Sequence, residues 1–401
     1  MKLLSIIGAR PQFVKIAPLV RAIDRHNARP GVTKLEHRIL HTGQHYDASM
    51  SRVFFDELDL PVADFHLGVG SGTHAQQTGA MMIGIERVLE QERPDTTIVY
   101  GDTNSTLAGV LAASKLKLRT AHVEAGLRSF DRGMPEEVNR LVADHISDLL
   151  LAPTPTAMEN LRREGCAERA VSTGDIMYDS VLHYRAQAAS TSSVLSRLAL
   201  EAGGYGVVTL HRAQNTDDPA RLKSILRALD DIARDDLPLI FPLHPRTASR
   251  LSTLLPNWGG NARLRVVEPL GYLDSLMLLS NARVCLTDSG GLQKEALFVG
   301  CPCVTLRSET EWVETLDAQA NVLTDGDPAR LRAAVAFWKE RYPRGGADFT
   351  PAAVASFGPG NAAQAILDAI QNISVQESGS PSDAARTSST GRAELETTGA
   401  Q

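Results

Sequence analysis

The sequence predicts an α/β protein built from two doubly wound halves, each a parallel sheet wrapped by helices. Three observations predict it. Short apolar β-type runs alternate with helix-length stretches, and the alternation pauses near residues 173–179 before starting again. At 401 residues the chain exceeds the usual size of one compact core, which calls for two domains. Single polar or ionisable residues stand directly after one apolar run after another, at what would be the carboxyl edge of each sheet, where ligands bind.

In chain order, Leu3–Ile7 is a strand and Val14–His26 a helix. Arg38–His41 is a strand running into Thr42-Gly43-Gln44-His45-Tyr46-Asp47, followed by a helix near Met50–Leu58. Thr78–Gln91 is helical, Thr96–Tyr100 a strand, Ser105–Lys115 a helix and Thr120–Val123 a strand. Pro135 opens the next helix, and Leu149–Ala152 is a strand near the end of a first domain spanning residues 1–172. Residues 173–203 form a connector, in which Ser180–Ala202 is helical with a Ser/Thr-rich break. A second domain, 204–359, restarts the pattern with strands at Val207–Leu210, Leu239–Leu243, Leu264–Val267, Val284–Leu286, Cys303–Leu306 and Asn321–Leu323. Its helices fall at Pro219–Arg234, Leu273–Ser280 and Leu292–Val299. Residues 372–401 are rich in Ser, Thr, Gly and Glu, with little to bury, and read as a disordered tail.

Composition narrows the class. A hydrophobic share of 43% and a charged share of 22% are ordinary for a soluble globular protein. A net charge of −6 argues against a general nucleic-acid binder while leaving room for a local cationic pocket. Four cysteines make no disulfide framework in so long a chain, and Cys301-Pro302-Cys303 lacks the two-residue spacer of redox and zinc pairs. No metal is expected. Met1–Ile7 is too short for a secretory leader, and no apolar run reaches membrane-spanning length. Ile7-Gly8-Ala9-Arg10 is not a dinucleotide fingerprint, so no nicotinamide cofactor is expected either. A soluble cytoplasmic enzyme is the class that remains.

The stretch Val284–Glu295 organises the chemistry. A buried strand breaks at Asp288-Ser289-Gly290-Gly291 and a helix follows, leaving the first helical N–H groups to face an anion. Gly290 and Gly291 admit a phosphate, Ser289 adds a donor, and Glu295 one turn on can accept ribose hydroxyls. An ordinary capped βα turn is the bland alternative. Arg10 and Lys15 are two cations about a turn apart beside the first strand. Asp102 is either a helix cap or an acid at the floor of a cleft. Glu124 closes a buried strand, where burial raises a carboxyl pKa, unless it pairs with Arg128. Glu136 and Arg140 are spaced for a surface ion pair at a helix start. His211 with Arg212, and His244 with Arg246, offer a histidine and an arginine each at strand ends for a diphosphate, and Arg307 follows another strand.

Together these motifs resemble the non-hydrolysing UDP-N-acetylglucosamine 2-epimerase family. The matching pieces are Gly8-Ala9-Arg10-Pro11 with Lys15, Thr42-Gly43-Gln44-His45, Gly101-Asp102-Thr103, His122–Arg128, and Pro135-Glu136-Glu137 with Asn139-Arg140. His211-Arg212 with Asn215, His244-Pro245-Arg246, and Thr287–Gly291 with Gln293 and Glu295 complete the set, in family order. The resemblance implies a GT-B-like pair of Rossmann-type domains, the second holding UDP, and a homodimer acting on a UDP-sugar for surface polysaccharide synthesis. It also implies that a final helix, residues 360–371, packs back on the first domain. Asp102, Glu124 and Glu136 take the acid/base positions. Arg10, Lys15, Arg140 and His211 serve the diphosphate or the transition-state charge, with Gln44, His244, Arg246 and Arg307 among the binding residues. Ser289, Gly290, Gly291 and Glu295 hold phosphate and ribose. The implied product is UDP-N-acetylmannosamine.

Two positions depart from the pattern. Where the UDP-N-acetylglucosamine branch typically reads Thr-Glu-Arg-Pro-Glu, the chain has Thr310-Glu311-Trp312-Val313-Glu314, and Lys294 stands where an acid is common. Both look more like the branch acting on UDP-2,3-diacetamido-2,3-dideoxyglucuronate. A GT-B glycosyltransferase, a hydrolysing epimerase and a non-catalytic nucleotide-sugar sensor are the other readings.

Overall fold

The computed structural model describes residues 1–44, 48–255, 258, 260–343, 345–347, 349 and 351–378. In the first sheet the strands are β1 (Lys2–Ile7), β2 (Glu36–His41), β3 (Phe65–His66), β4 (Thr96–Tyr100), β5 (Thr120–Val123), β6 (Leu149–Ala152) and β7 (Ala170–Ser172). The second sheet holds β8 (Gly206–Thr209), β9 (Leu239–Pro242), β10 (Leu264–Val267), β11 (Val284–Thr287), β12 (Cys303–Thr305) and β13 (Asn321–Leu323). Their spatial orders are β3-β2-β1-β4-β5-β6-β7 and β10-β9-β8-β11-β12-β13. Neighbouring strands pair in parallel throughout, for example Ile6 with Val99 and Thr287 with Thr209. This is the two-lobed, GT-B-like architecture, and the fold class read from the alternation holds.

Strand order reverses between β1 and β4 in one lobe and between β8 and β11 in the other. A crevice opens at such a switch point, because the connections on either side leave toward opposite faces of the sheet. Gly8–Arg10, Asp102, His211 and Asp288–Gly291 all follow switch-point strands, which is why the sequence clusters its chemistry there.

Differences from the sequence expectation have local causes. The first helix is Arg10–Ala28, four residues longer at its start, because Gln12 Oε1 takes the N–H groups of Gly8 (2.8 Å) and Ala9 (3.1 Å). Strands β3 and β7 are short edge strands that the pattern did not single out. The pause near residues 173–179 is a helix start: Asp175 caps the Ile176–Thr191 helix, accepting from Met177 N at 2.7 Å. The last helix is Ala362–Ser378 and runs past residue 372, where composition placed the tail; residues 379–401 lie outside the described residues.

The Ile176–Thr191 helix joins the lobes. It packs on the Arg10–Ala28 helix of the first lobe and on the Tyr272–Ser280 and Gly290–Val299 helices of the second. Ser180 donates to Val14 O and Tyr184 to Leu58 O, each at 2.7 Å. Ile366, Leu367 and Ile370 of the last helix are buried in the same apolar core, against the first lobe. One continuous core therefore runs from Leu3 through Tyr184 to Leu297, so the two sheet edges are held in one orientation.

Candidate active site

The facing edges meet through ion pairs and backbone contacts. Lys294 of the second lobe donates to Glu124 Oε1 of the first at 2.6 Å, and Lys15 donates to Glu124 Oε2. Arg212 pairs with Glu136 across the lobes. Arg10 Nη2 donates to Leu270 O at 3.0 Å, its guanidinium 4.3 Å from the Phe54 ring centroid. Glu57 accepts Tyr272 N at 2.5 Å and Leu273 N at 3.2 Å, which ties the first lobe to the start of a second-lobe helix.

Glu124 sits immediately after β5 with a left-handed backbone, φ 72°, a conformation that costs energy for a side chain of its size. Burial pushes its carboxyl up, but Lys15 and Lys294 outweigh that and hold it at about 2. The expectation that burial raises this group is therefore overturned. The pairing with Arg128 is overturned too: Arg128 binds Asp144 at 2.7 Å and Glu164 at 2.6 Å. Asp144 also receives His122 Nδ1 at 2.7 Å, and together they brace the end of β5. Gly101 faces Glu124 with φ 63°; a Cβ there would lie 2.7 Å from Lys15 Nζ, so glycine keeps the lysine's place open.

Asp102 is not a helix cap, since Thr103 takes that role. Its Oδ2 accepts Arg140 Nη2 at 2.5 Å. Arg140 does not pair with Glu136 as its spacing suggested; its other partner is Glu137 at 2.9 Å. Glu137 has no freedom to act elsewhere, because it also accepts Ser129 N (2.9 Å) and Phe130 N (3.0 Å) and fixes that loop. Burial disfavours the Arg140 charge, yet Asp102, Glu311 and Glu137 keep it protonated, well above the usual arginine value.

On the second lobe Asp288 is the anchor. It is fully buried and accepts His211 N (2.9 Å), Arg212 N (2.8 Å), Asn215 Nδ2 (3.1 Å) and His211 Nδ1 (3.0 Å). Despite burial, His211 and these N–H groups hold its carboxyl well below the usual range. The His244 ring lies tilted beside His211, centroids 5.2 Å apart. Arg246 lies on the Pro245–Leu254 helix, and its side chain is outside the described residues, as is His45. Gln44 is turned into the first lobe, accepting Ser105 N at 3.0 Å and Ser105 Oγ at 2.7 Å.

Ser289 caps the Gly290–Val299 helix by accepting Leu292 N. A Cβ on Gly290 would collide with the Glu311 carboxylate, whereas one on Gly291 would only touch Met177 Cε at 3.6 Å. Glu311 binds Arg307 at 2.8 Å and is held well below the usual carboxylate range, against its burial, by Arg307, Arg140 and Arg212. Each of those three arginines keeps one buried N–H without a hydrogen-bond partner among the described residues, so the cluster retains donors for an anion. Glu295 lies beside the Tyr272 phenol and is pushed up to about 7 by burial.

Sequence reasoning missed Glu311, Asp175 and Lys294 as site groups, and it placed Asp288 and Arg212 at strand ends without the partners they take. Glu311 and Lys294 lie within stretches it had flagged as departures from the motif; Asp175 alone gave no signal beyond following Gly174. The two departures, Lys294 and Trp312, touch: the ammonium lies 3.9 Å from the indole centroid.

Comparison with known proteins gives the family. The sequence profile of the UDP-N-acetylglucosamine 2-epimerase family matches residues 28–371. The chain is 48% identical over 326 residues to the UDP-2,3-diacetamido-2,3-dideoxy-D-glucuronate 2-epimerase of Pseudomonas aeruginosa, covering 80% of this chain and 88% of that protein. It is 44% identical to the UDP-N-acetylglucosamine 2-epimerase of Methanocaldococcus jannaschii, covering 86% of this chain and 96% of that one. The crystal structure of the Methanocaldococcus jannaschii UDP-GlcNAc 2-epimerase with UDP-GlcNAc and UDP superposes with a TM-score of 0.85 at 42% identity, over 93% of this chain and all of that one. A two-lobed fold, a Glu124 carboxylate gripped from both lobes and a profile match across most of the chain lead to one conclusion: the chain belongs to the UDP-N-acetylglucosamine 2-epimerase family.

Proposed function

We propose that this chain inverts C2 of UDP-N-acetylglucosamine, giving UDP-N-acetylmannosamine, by eliminating and re-adding UDP without hydrolysis. The observation that carries the reading is Glu124, a carboxylate held ionised at the mouth of one sheet by a lysine from each lobe.

The C2 proton is not adjacent to a carbonyl, so removing it alone leaves no stabilised anion. Expelling UDP from C1 as C2 loses its proton solves this: the C–H electron pair becomes the C1–C2 double bond while the C1–O pair leaves with the diphosphate. Returning UDP to C1 and a proton to the opposite face of C2 inverts that carbon. Glu124, Asp102 and Glu136 are the carboxylates for proton transfer. Arg10, Lys15, Arg140 and His211, with Arg307 and His244, meet the diphosphate and its growing charge. Ser289, Gly290 and Gly291 bind phosphate at the helix start, and Glu295 accepts ribose hydroxyls. The shared core supports a closed cleft that keeps water from the alkene. A homodimer in the cytoplasm, feeding surface polysaccharide assembly, completes the proposal; light scattering measures the assembly. Among the described residues, no helix is long and apolar enough to cross a membrane.

Incubation with the UDP-sugar in heavy water tests the chemistry. Deuterium is expected at C2 of recovered UDP-sugar. Transfer of unlabelled sugar to an acceptor would replace the proposal with a glycosyltransferase, and free sugar plus UDP would replace it with a hydrolysing enzyme. A second reading, with UDP-2,3-diacetamido-2,3-dideoxyglucuronate as substrate, is favoured by the contact between Lys294 and Trp312. Side-by-side turnover of the two UDP-sugars decides between them.

A further inference from the structure

We propose that Lys294 is a positioning residue for Glu124, a fixed cation that stays on the carboxylate while Lys15 swings to the departing diphosphate. The proposal rests on the C2-epimerase reading and names what sets its base.

The two lysines on Glu124 are not equivalent. Lys15 reaches Glu124 Oε2 from the Arg10–Ala28 helix, and among the described residues its ammonium makes no second hydrogen bond. Lys294 holds three partners at once: Glu124 Oε1 at 2.6 Å, Asp175 Oδ2 at 2.6 Å and the Trp312 ring at 3.9 Å. Its side chain is fully buried. Asp175 cannot follow a moving lysine, because its other oxygen caps Met177 N at 2.7 Å and its own N–H donates to Phe357 O at 2.8 Å. Trp312 is likewise buried, its ring tilted against Phe357. Lys294 is therefore anchored on three sides, while Lys15 is tethered on one.

The asymmetry has a chemical consequence. A carboxylate gripped by two ammonium groups is a poor base, and each cation within contact distance lowers its proton affinity by roughly one to three pKa units. When the C1–O bond breaks, negative charge grows on the diphosphate and competes for Lys15. Glu124 then loses one cation and gains basicity at the moment the C2 proton must move. Lys294 remains and keeps the second oxygen oriented, and its own charge stays balanced by Asp175 after Glu124 becomes neutral. The charged groups facing this corner are Lys15, Lys294 and Glu295 from their helices and Asp175 from the loop before the Ile176–Thr191 helix. Lys294 and Trp312 act as one device, the ring closing the third side of the ammonium.

The test is the pH dependence of turnover in Lys294→Met, Lys294→Arg and Lys294→Met/Asp175→Asn. The double variant strands no buried charge, so it guards against a folding failure of the single one. Its UDP affinity is expected to stay within about threefold, its kcat to fall about 100-fold, and the acid limb of its kcat profile to rise by about one pH unit or more. Lys294→Arg should recover at least about tenfold of the loss, since it restores the charge. A double variant with kcat within about threefold of the parent, or with an unmoved acid limb, overturns the proposal. C2 deuterium exchange by the parent protein is measured first. Its absence would defeat the epimerase reading itself, whereas exchange in the parent with an unmoved limb in the double variant defeats only the role of Lys294.

Discussion

Glu124 and Glu295 form a natural pair for comparison. Both are 8% exposed, both feel the charges of Lys15 and Lys294, and Glu295 follows Lys294 directly in the chain. Yet Glu124 is held at about 2 while Glu295 is pushed up to about 7. Burial acts on both in the same direction. The difference is that two ammonium groups touch Glu124, whereas Glu295 has the neutral Tyr272 phenol beside it and feels Lys294 and Lys15 only at a distance. Equal burial thus yields an ionised carboxylate in one corner and a group that titrates near neutrality in the other, because a contact charge outweighs desolvation and a distant one does not.

The largest expected effect breaks the Glu124 side. Glu124→Gln keeps the shape and removes the proposed base, so kcat should fall by about 1,000-fold or more while UDP still binds by calorimetry. Near-normal turnover would remove Glu124 from the mechanism. Next, Asp288→Ala strips four hydrogen bonds from the edge that faces Glu124. It should cost about 3 kcal/mol in urea unfolding, since it leaves buried N–H groups unpaired. A loss below about 1 kcal/mol would mean that water takes over those donors.

The third effect carries a sign. Glu295 at about 7 lies above its ordinary 4.5, so its own contribution to native stability is full below about 4.5 and is lost as pH rises through 7. Glu295→Gln should therefore stabilise the ligand-free protein by about 2 kcal/mol at pH 8, with the gain vanishing near pH 5. Glu124, shifted the opposite way, adds stability that is present above about 4.5 and lost as pH falls through about 2. Unfolding curves at pH 5 and pH 8 sharpen the contrast, and a pH-independent Glu295→Gln effect would erase it. The smallest change is Glu57→Ala, which removes the cap on Tyr272 N and Leu273 N next to the Glu295 corner. A loss of about 1 kcal/mol is expected. An unchanged midpoint would show that the lobes do not depend on that contact.

Much of the fold was legible because parallel sheets write themselves as apolar runs. Thr96–Tyr100 and Thr120–Val123 are wholly buried and were read at their true bounds. Phe65–His66 was missed since two residues carry no period. The Ile176 helix start was misplaced because its cap, Asp175, looks like any loop acid until its partners are in place. At the facing sheet edges, the sequence marked Glu124 and Arg140 as ionisable groups beside strands or in first turns, and the partners it offered as alternatives, Arg128 and Glu136, are not the ones they take. Spacing reports only neighbours along the chain, and the true partners come from elsewhere.

The order of strands and helices, the two-domain division and the clustering of polar residues after switch-point strands were determined by the sequence alone. Hydrophobic periodicity and small-residue turns are local properties, so a linear reading captures them. The charge state of each carboxylate was decided only by the tertiary structure. Glu124 meets a lysine 170 positions away, and that contact exists only when the two lobes face each other across one core.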